Sequence, residues 1–417
     1  MYRTPGVYRE DIFPPPPPKL RTGVPVFVGL VSRVEVDAHP GEFMLRQTST
    51  PGVWLVGKVG SENADSDEPD RFTLWPAFEG AFGAFQDYGY LAYAVRGFFE
   101  NQGSLCYVQM VCYDDTASAE AALAESLNAL KSGDAFDLVC APDIMWPGQG
   151  QALDEAEVLR MQGEMLAHCD EAGDRMAILD SWPGADVPGA LRQRNGLSGT
   201  NGALYYPWIK VSARVGAAEP FIMVPPCGHV AGVYARSDQQ RGVHKAPANE
   251  VLEGVVDLEI NLTDEEQGEL NPKGVNCLRA CPGRGIRVWG ARILSGEPWV
   301  YVNVRRLFLT AGRWIQRNLS QKIFEPNDSR LWEQIKRELT SYFSALLRQG
   351  GLRGNTAQDA FYIKCDEETN PPEVRDAGMV VTDIGLAAAR PNEFIVVRII
   401  HNTSGVTMTI TSGPLAG

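Results

Sequence analysis

Apolar positions along this chain fall into two rhythms. Val24–Val31 (VPVFVGLV) and the stretches at 105–111, 136–140, 175–179 and 203–211 are short, nearly unbroken apolar runs. Runs of that kind predict strands covered on both faces. Between them lie stretches of helical length at 90–101, 117–130 and 152–171, the second rich in strong helix formers. Strands that alternate with helices need crossover connections, so the pattern predicts a mostly parallel sheet with helices on its faces.

The clearest helical rhythm lies in the segment 299–354. Leu331, Trp332, Ile335, Leu339, Phe343, Leu346 and Leu347 recur at three- and four-residue spacing, so one face must be buried. Pro326 and Asn327–Asp328 offer a break and an N-cap, and Gly350–Gly351 a terminator. The whole segment reads as strand, helix at 304–322, turn, second helix. The first helix carries Arg305, Arg306, Arg313, Arg317 and Lys322 and no acid. It is expected to present a basic surface.

The two ends have a different character. The first thirteen residues, which include Val7 and Tyr8, show no helical period. Pro14–Pro18 then favours polyproline II, a spacer of roughly 15 Å at about 3.1 Å per residue. Near the other end Val406, Met408 and Ile410 alternate with Thr407, Thr409 and Thr411. That is a strand with one apolar face, set behind the polar linker 402–405, and such a strand needs a partner edge. One reading makes both ends disordered tails. The other makes them arms that add strands to a neighbouring subunit, with Val7, Tyr8, Val406, Met408 and Ile410 in the pairing.

Composition narrows the classes. The 417 residues leave room for two or three domains. A net charge of −14 argues against nucleic acid as a partner. The charge is uneven: from Arg279 to Lys322 nine basic residues stand against Glu297 alone, a local balance of +8 that leaves −22 for the remainder. Such a split is either a solvated face or a basic surface for an acidic protein partner. Eight scattered cysteines fit reduced thiols. No apolar run reaches the roughly 20 residues of a membrane span. The N-terminus has no signal-peptide core, so cytoplasmic assembly without membrane insertion is expected.

Enzyme chemistry finds weak footholds. There is no phosphate-binding G-x-x-x-x-G-K-[ST], and the pattern begun by Gly148-Gln149-Gly150 fails at Leu153. Gly196–Thr200 misses the nucleophile-elbow pattern. Cys277 and Cys281 lack a second ligand pair at zinc spacing. The aspartates of 61–71 lack the calcium-loop spacing. Cys227 and His229 are close in sequence, which does not create attack geometry. The expectation is no catalytic residue, no cofactor and no metal. The rival is an α/β enzyme or ligand-binding protein with its site near residues 140–200.

Several segments carry a family resemblance. They are Thr4–Tyr8, Pro225-Pro226-x-Gly228-x-x-Ala231-Gly232, Ala246–Asn249, Gly274–Asn276, Val288–Arg292, Asn303-x-Arg305-Arg306-Leu307, Phe324–Asp328, Leu331-Trp332, Gly351-x-x-Gly354 and Arg390–Phe394. In this order they resemble the contractile tail sheath proteins of phages, contractile bacteriocins and extracellular contractile injection systems. Ile293 departs from the family, which often has Thr there. The resemblance implies an α/β chain (α+β overall): a sheath C-terminal domain with swapped terminal strands plus an inserted α/β domain. The implied divisions are an arm at 1–20, core and outer domains at 21–280, the C-terminal domain at 281–400 and an arm strand at 401–417. The implied role is a structural subunit, not an enzyme. Hexameric rings stack around an inner tube and contract without nucleotide hydrolysis, driving the tube through a target envelope. The implied partners are the chain itself, the inner tube protein, and baseplate and cap proteins. Arg305, Arg306, Arg313, Arg317 and Lys322 would then line the channel against an acidic tube. A different self-assembling baseplate or capsid component is the alternative within this class.

Overall fold

The computed structural model describes residues 20–411 apart from 62, 64–65, 149–151, 297–298, 389–393 and 403–404. Val7, Tyr8, most of the proposed N-terminal arm and the Arg390–Glu393 motif therefore lie outside the described residues. An eleven-stranded sheet forms the body. Its middle is six parallel strands in the order Val275–Cys281, Gly202–Tyr206, Met176–Asp180, Leu138–Cys140, Pro25–Ser32 and Cys106–Tyr113. Antiparallel strands finish both ends. Gly285–Val288 and Glu250–Val251 lie at one, and Val53–Lys58 and Phe43–Gln47 at the other, with Asp70–Phe72 also beside Cys106–Tyr113.

The apolar runs are explained by burial on both faces. Phe27 and Val31 point to one core and Val26, Val28 and Leu30 to the other, the period of two expected of a strand. The second core is roofed by the helices Ala119–Ala129, Glu155–Ala172 and Val187–Gly196. The first takes in the helices Leu91–Glu100, Cys227–Gln240 and Val302–Leu319, and continues into Ser329–Arg348. The expected α/β class is thus observed.

Ser329–Arg348 matches its sequence grammar closely. Asp328 accepts from the amides of Arg330 and Leu331 at 2.9 and 3.0 Å, and Gly350 takes φ +80° just beyond the last turn. Leu331, Trp332, Ile335, Leu339, Phe343 and Leu346 are buried. Beyond this helix a four-stranded antiparallel sheet runs in the order Phe361–Lys364, Val380–Ala387, Phe394–Asn402, Gly405–Thr411. The Phe343 and Phe361 rings, 5.6 Å apart, join helix to sheet.

Several readings of the sequence are corrected or extended. No helix is anticipated after Pro225-Pro226, yet Cys227–Gln240 is helical. Its glycines hide it, because glycine is a poor helix former. Here they let two helices touch: a Cβ on Gly228 would meet the Ala94 backbone, and one on Gly232 the backbone of Phe98. The expected strand at 203–211 is divided in two, Gly202–Tyr206 and Ile209–Ser212, on either side of Pro207, which has no amide to donate. The expected strand before the basic helix reduces to one bridge, Arg292 with Tyr301, and the helix starts at Val302. The hairpin Phe43–Gln47 with Val53–Lys58 and the strand Val380–Ala387 are not anticipated from the sequence.

Candidate assembly surfaces

The helix Val302–Leu319 turns three of its four arginines away from solvent. Arg306 is 2% exposed and Arg305 and Arg313 are each 6% exposed, which corrects the reading of all five cations as a tube-facing surface. The physical reason lies in the guanidinium group. It is weakly hydrated, carries five donors and sits on a long apolar stem, so it can be buried where acceptors converge. Arg306 forms a fork with Asp238, at 2.9 Å to Oδ1 and 2.6 Å to Oδ2, and reaches Asp137 Oδ2 at 3.0 Å. Its guanidinium lies 4.9 Å from the Tyr234 ring centre. Burial works against this charge, but Asp238 and Asp137 more than offset it, so Arg306 is held above its ordinary pKa.

Arg305 has no carboxylate at ion-pair distance among the described residues. Its Nε donates to Asn201 Oδ1 at 2.6 Å and its guanidinium lies 4.6 Å from the Trp299 ring centre. Burial pushes its pKa down to about 10. Arg313 donates to the Asp134 carbonyl at 2.7 Å. Lys322 is half-buried, with Glu338 at 3.1 Å. Arg317 alone of the five is exposed, and it has no ion pair among the described residues. Outside this helix Arg279 is also engaged within the chain, donating to Gln267 and to the Leu262 carbonyl.

Sequence reasoning missed Asp137 and Asp238, which lie 169 and 68 positions before Arg306. A signal exists: Asp137 interrupts the apolar strand run Phe136–Cys140, and the arginines sit inside the apolar run VRRLFLTAGRWI. Lone charges inside apolar segments mark buried partners.

The C-terminal strand also departs from expectation. Gly405–Thr411 is not a lone strand: it folds as a hairpin on Phe394–Asn402 of its own chain, with Val406 opposite His401, Met408 opposite Ile399 and Ile410 opposite Val397. The reason is proximity, because a short linker brings the two strands together at small entropic cost. Among the described residues the outer side of this strand is unpaired.

The chemistry candidates of the α/β body are occupied in structural contacts. Asp143 accepts the amides of Leu30, Tyr90 and Leu91 at 3.0, 2.6 and 2.8 Å. Burial pushes its carboxyl up to about 7 while these donors pull against that. Asp180, likewise pushed up to about 7 by burial, accepts the Cys227 amide. The Cys227 thiol is pushed far up by burial, and the buried His229 ring is held down to about 3 by the same cause. At i and i+2 of one helix the two do not face each other, and a thiol held protonated and an enclosed, neutral imidazole lack the poise of a nucleophile and base. Cys277 is buried in its strand. Among the described residues no cluster of three or more His, Cys, Asp or Glu has metal-holding geometry, and no helix is long and apolar enough to cross a membrane.

Comparison with known proteins places this architecture. The phage tail sheath protein central domain matches residues 116–293 and the phage tail sheath C-terminal domain matches residues 295–401. The chain belongs to the phage tail sheath family. It is similar to the tail sheath protein of Vibrio phage KVP40, 26% identical over 186 residues, covering 43% of this chain and 27% of that protein. The tail sheath protein of Enterobacteria phage T4 is 26% identical over 203 residues, covering 46% and 29%. The chain thus spans under a third of the length of these two relatives. Solved structures are similar over nearly whole chains. A PVC sheath complex of an extracellular contractile injection system in the contracted state has a TM-score of 0.65 at 28% identity, covering 94% of this chain and 95% of that one. The helical sheath of the anti-feeding prophage, also contracted, has a TM-score of 0.66 at 28% identity, covering 94% and 98%.

Proposed function

We propose that this chain is the repeating subunit of a contractile sheath, stacked as hexameric rings around an inner tube, whose contraction drives that tube through a target envelope. The observation that carries the reading is the terminal sheet. Among the described residues its last strand, Gly405–Thr411, is joined to one neighbour and follows a short linker. Leaving that neighbour for the equivalent edge on another subunit exchanges one set of backbone hydrogen bonds for a similar set, so the exchange has little enthalpic cost. Val7 and Tyr8 would pair in the same mesh from the other end. Exchanged strands keep subunits tethered while their bodies repack, and the stored energy then lies in body-to-body contacts repeated along the stack. Partners beyond the chain itself are the inner tube protein and baseplate and cap proteins. Of the five basic residues Arg317 remains available to an acidic tube. The likeness to chains solved in contracted sheaths supports the same reading.

The test is removal of residues 402–417. The truncated subunit should stay folded by circular dichroism and run as a compact monomer, but form no long striated cylinders in negative stain. Cylinders of ordinary length would refute the strand-exchange reading.

A further inference from the structure

The buried cluster around Arg306 also holds the place where the chain enters its body. Asp137 accepts the amides of Gly23 at 3.1 Å and Val24 at 2.7 Å, while its own amide donates to the Val24 carbonyl at 2.9 Å. Asp238, the second carboxylate on Arg306, also accepts from the Thr22 side chain. Gly23 takes φ +70° and lies so close to the helix Cys227–Gln240 that a Cβ would stand 2.5 Å from the Ala235 Cα. Three elements distant in sequence therefore meet at one point: the segment 22–24, the two aspartates of the body, and the C-terminal helix Val302–Leu319. Arg306 and the Asp137 side chain are 2% and 5% exposed. An ionic cluster away from water is rigid, and opening it leaves an uncompensated charge.

We propose that Asp137, Asp238 and Arg306 form a mechanical joint that passes tension arriving along the N-terminal segment directly to the helix Val302–Leu319. Without it, the pull would be borne by Pro25–Ser32 and its two neighbouring strands. The proposal rests on the reading that the N-terminal segment pairs with a neighbouring subunit. These three side chains are positioning residues: they are buried within the subunit, and they fix how a pull on the arm is shared between its two halves. Strand pairing of Pro25–Ser32 starts only after this point, so the amides of Gly23 and Val24 depend on Asp137.

The experiment uses the isolated full-length chain, so its outcome is independent of whether sheaths form. Asp137→Asn keeps the side-chain shape and removes the charge, and Arg306→Lys keeps the charge and loses the fork. Hydrogen exchange at Gly23 and Val24 should rise at least about tenfold in both variants, with exchange in Ser329–Arg348 unchanged. Force spectroscopy then pulls between the N-terminus and a handle at Ser320. Wild type should show a distinct first rupture that both variants lose. Leu123→Ala, which weakens the core that Val24 also enters but removes none of the polar contacts of Asp137, Asp238 and Arg306, should lower thermal stability and keep that rupture. Unchanged exchange at Gly23 and Val24, or a first rupture present in both joint variants, would overturn the joint. Loss of the rupture in Leu123→Ala would reduce the cluster to ordinary stability and overturn it equally.

Discussion

Two helices lie side by side in the C-terminal half, and they use their faces in opposite ways. Ser329–Arg348 buries Leu331, Trp332, Ile335, Leu339, Phe343 and Leu346 and turns its charges outward. Val302–Leu319 buries Arg305, Arg306 and Arg313 among Leu307, Phe308 and Ile315. The two are stitched by Trp314 and Tyr342, whose rings stack with centroids 4.0 Å apart. One helix is held by the hydrophobic effect, which needs no particular partner. The other is held by donors that need named acceptors at fixed distances. A charged side chain on an amphipathic helix is therefore not by itself a sign of exposure.

The sharpest way to break this contrast is to remove one anchor from each helix. Arg306→Met should cost about 3–5 kcal/mol in denaturant unfolding, because Asp137 and Asp238 are left buried without their cation. Adding Asp238→Asn to that variant should recover part of the loss, since one buried charge is then gone. Phe343→Ala should cost a comparable 3–5 kcal/mol, roughly, by leaving a cavity, and no second substitution at a distant polar site should restore it. An Arg306→Met cost under about 1 kcal/mol would place this arginine among ordinary surface ion pairs and dissolve the comparison.

The same contrast explains how much was legible in the sequence. Ser329–Arg348 was readable to its ends, because its cap, its apolar period and its terminator are local. The parallel sheet was readable because strands buried on both faces write themselves as unbroken apolar runs. Cys227–Gln240 was not, because its glycines serve contact with Ala94 and Phe98, residues far away in sequence. The arginines were misplaced for the same reason: their acceptors, Asp137, Asp238, Asn201 and the Asp134 carbonyl, come from other elements. The partner of Gly405–Thr411 was missed in a different way, since a strand pattern does not say on which chain its edge lies. Local rules reach as far as local causes do.

A smaller effect separates buried cations from buried neutral rings. His229 packs against Gly97 and is held neutral down to about 3 by burial. Its folded pKa lies below the unfolded value of about 6.5, so its contribution is present above that pH and is lost as pH falls toward the folded value. The loss runs at up to about 1.4 kcal/mol per pH unit. His168, held to about 4 by burial and by Arg175, adds loss of the same sign. Asp143 and Asp180, pushed up to about 7, act in the opposite sense. The difference between wild type and His229→Gln isolates the ring. Between pH 6.5 and 5 wild type should lose about 2 kcal/mol more than the variant. Parallel pH profiles would mean that the ring is protonated in the fold.

The smallest expected effect on folding, and the one that bears most on assembly, belongs to Arg317. It is the one exposed arginine of a helix that otherwise turns its arginines inward, and it is not committed to an ion pair among the described residues. Arg317→Glu should change unfolding free energy by no more than about 0.5 kcal/mol, as surface substitutions do. If the remaining free cation meets an acidic tube, the same change puts like charge against like charge and slows encounter as well. Co-assembly with tube should then fail at low ionic strength and recover in part with added salt, since exposed charges act over only about 10 Å at 0.1 M. Unimpaired assembly at low salt would assign Arg317 to solvent. The whole helix would then serve the interior of its own subunit, its arginines as much as its leucines.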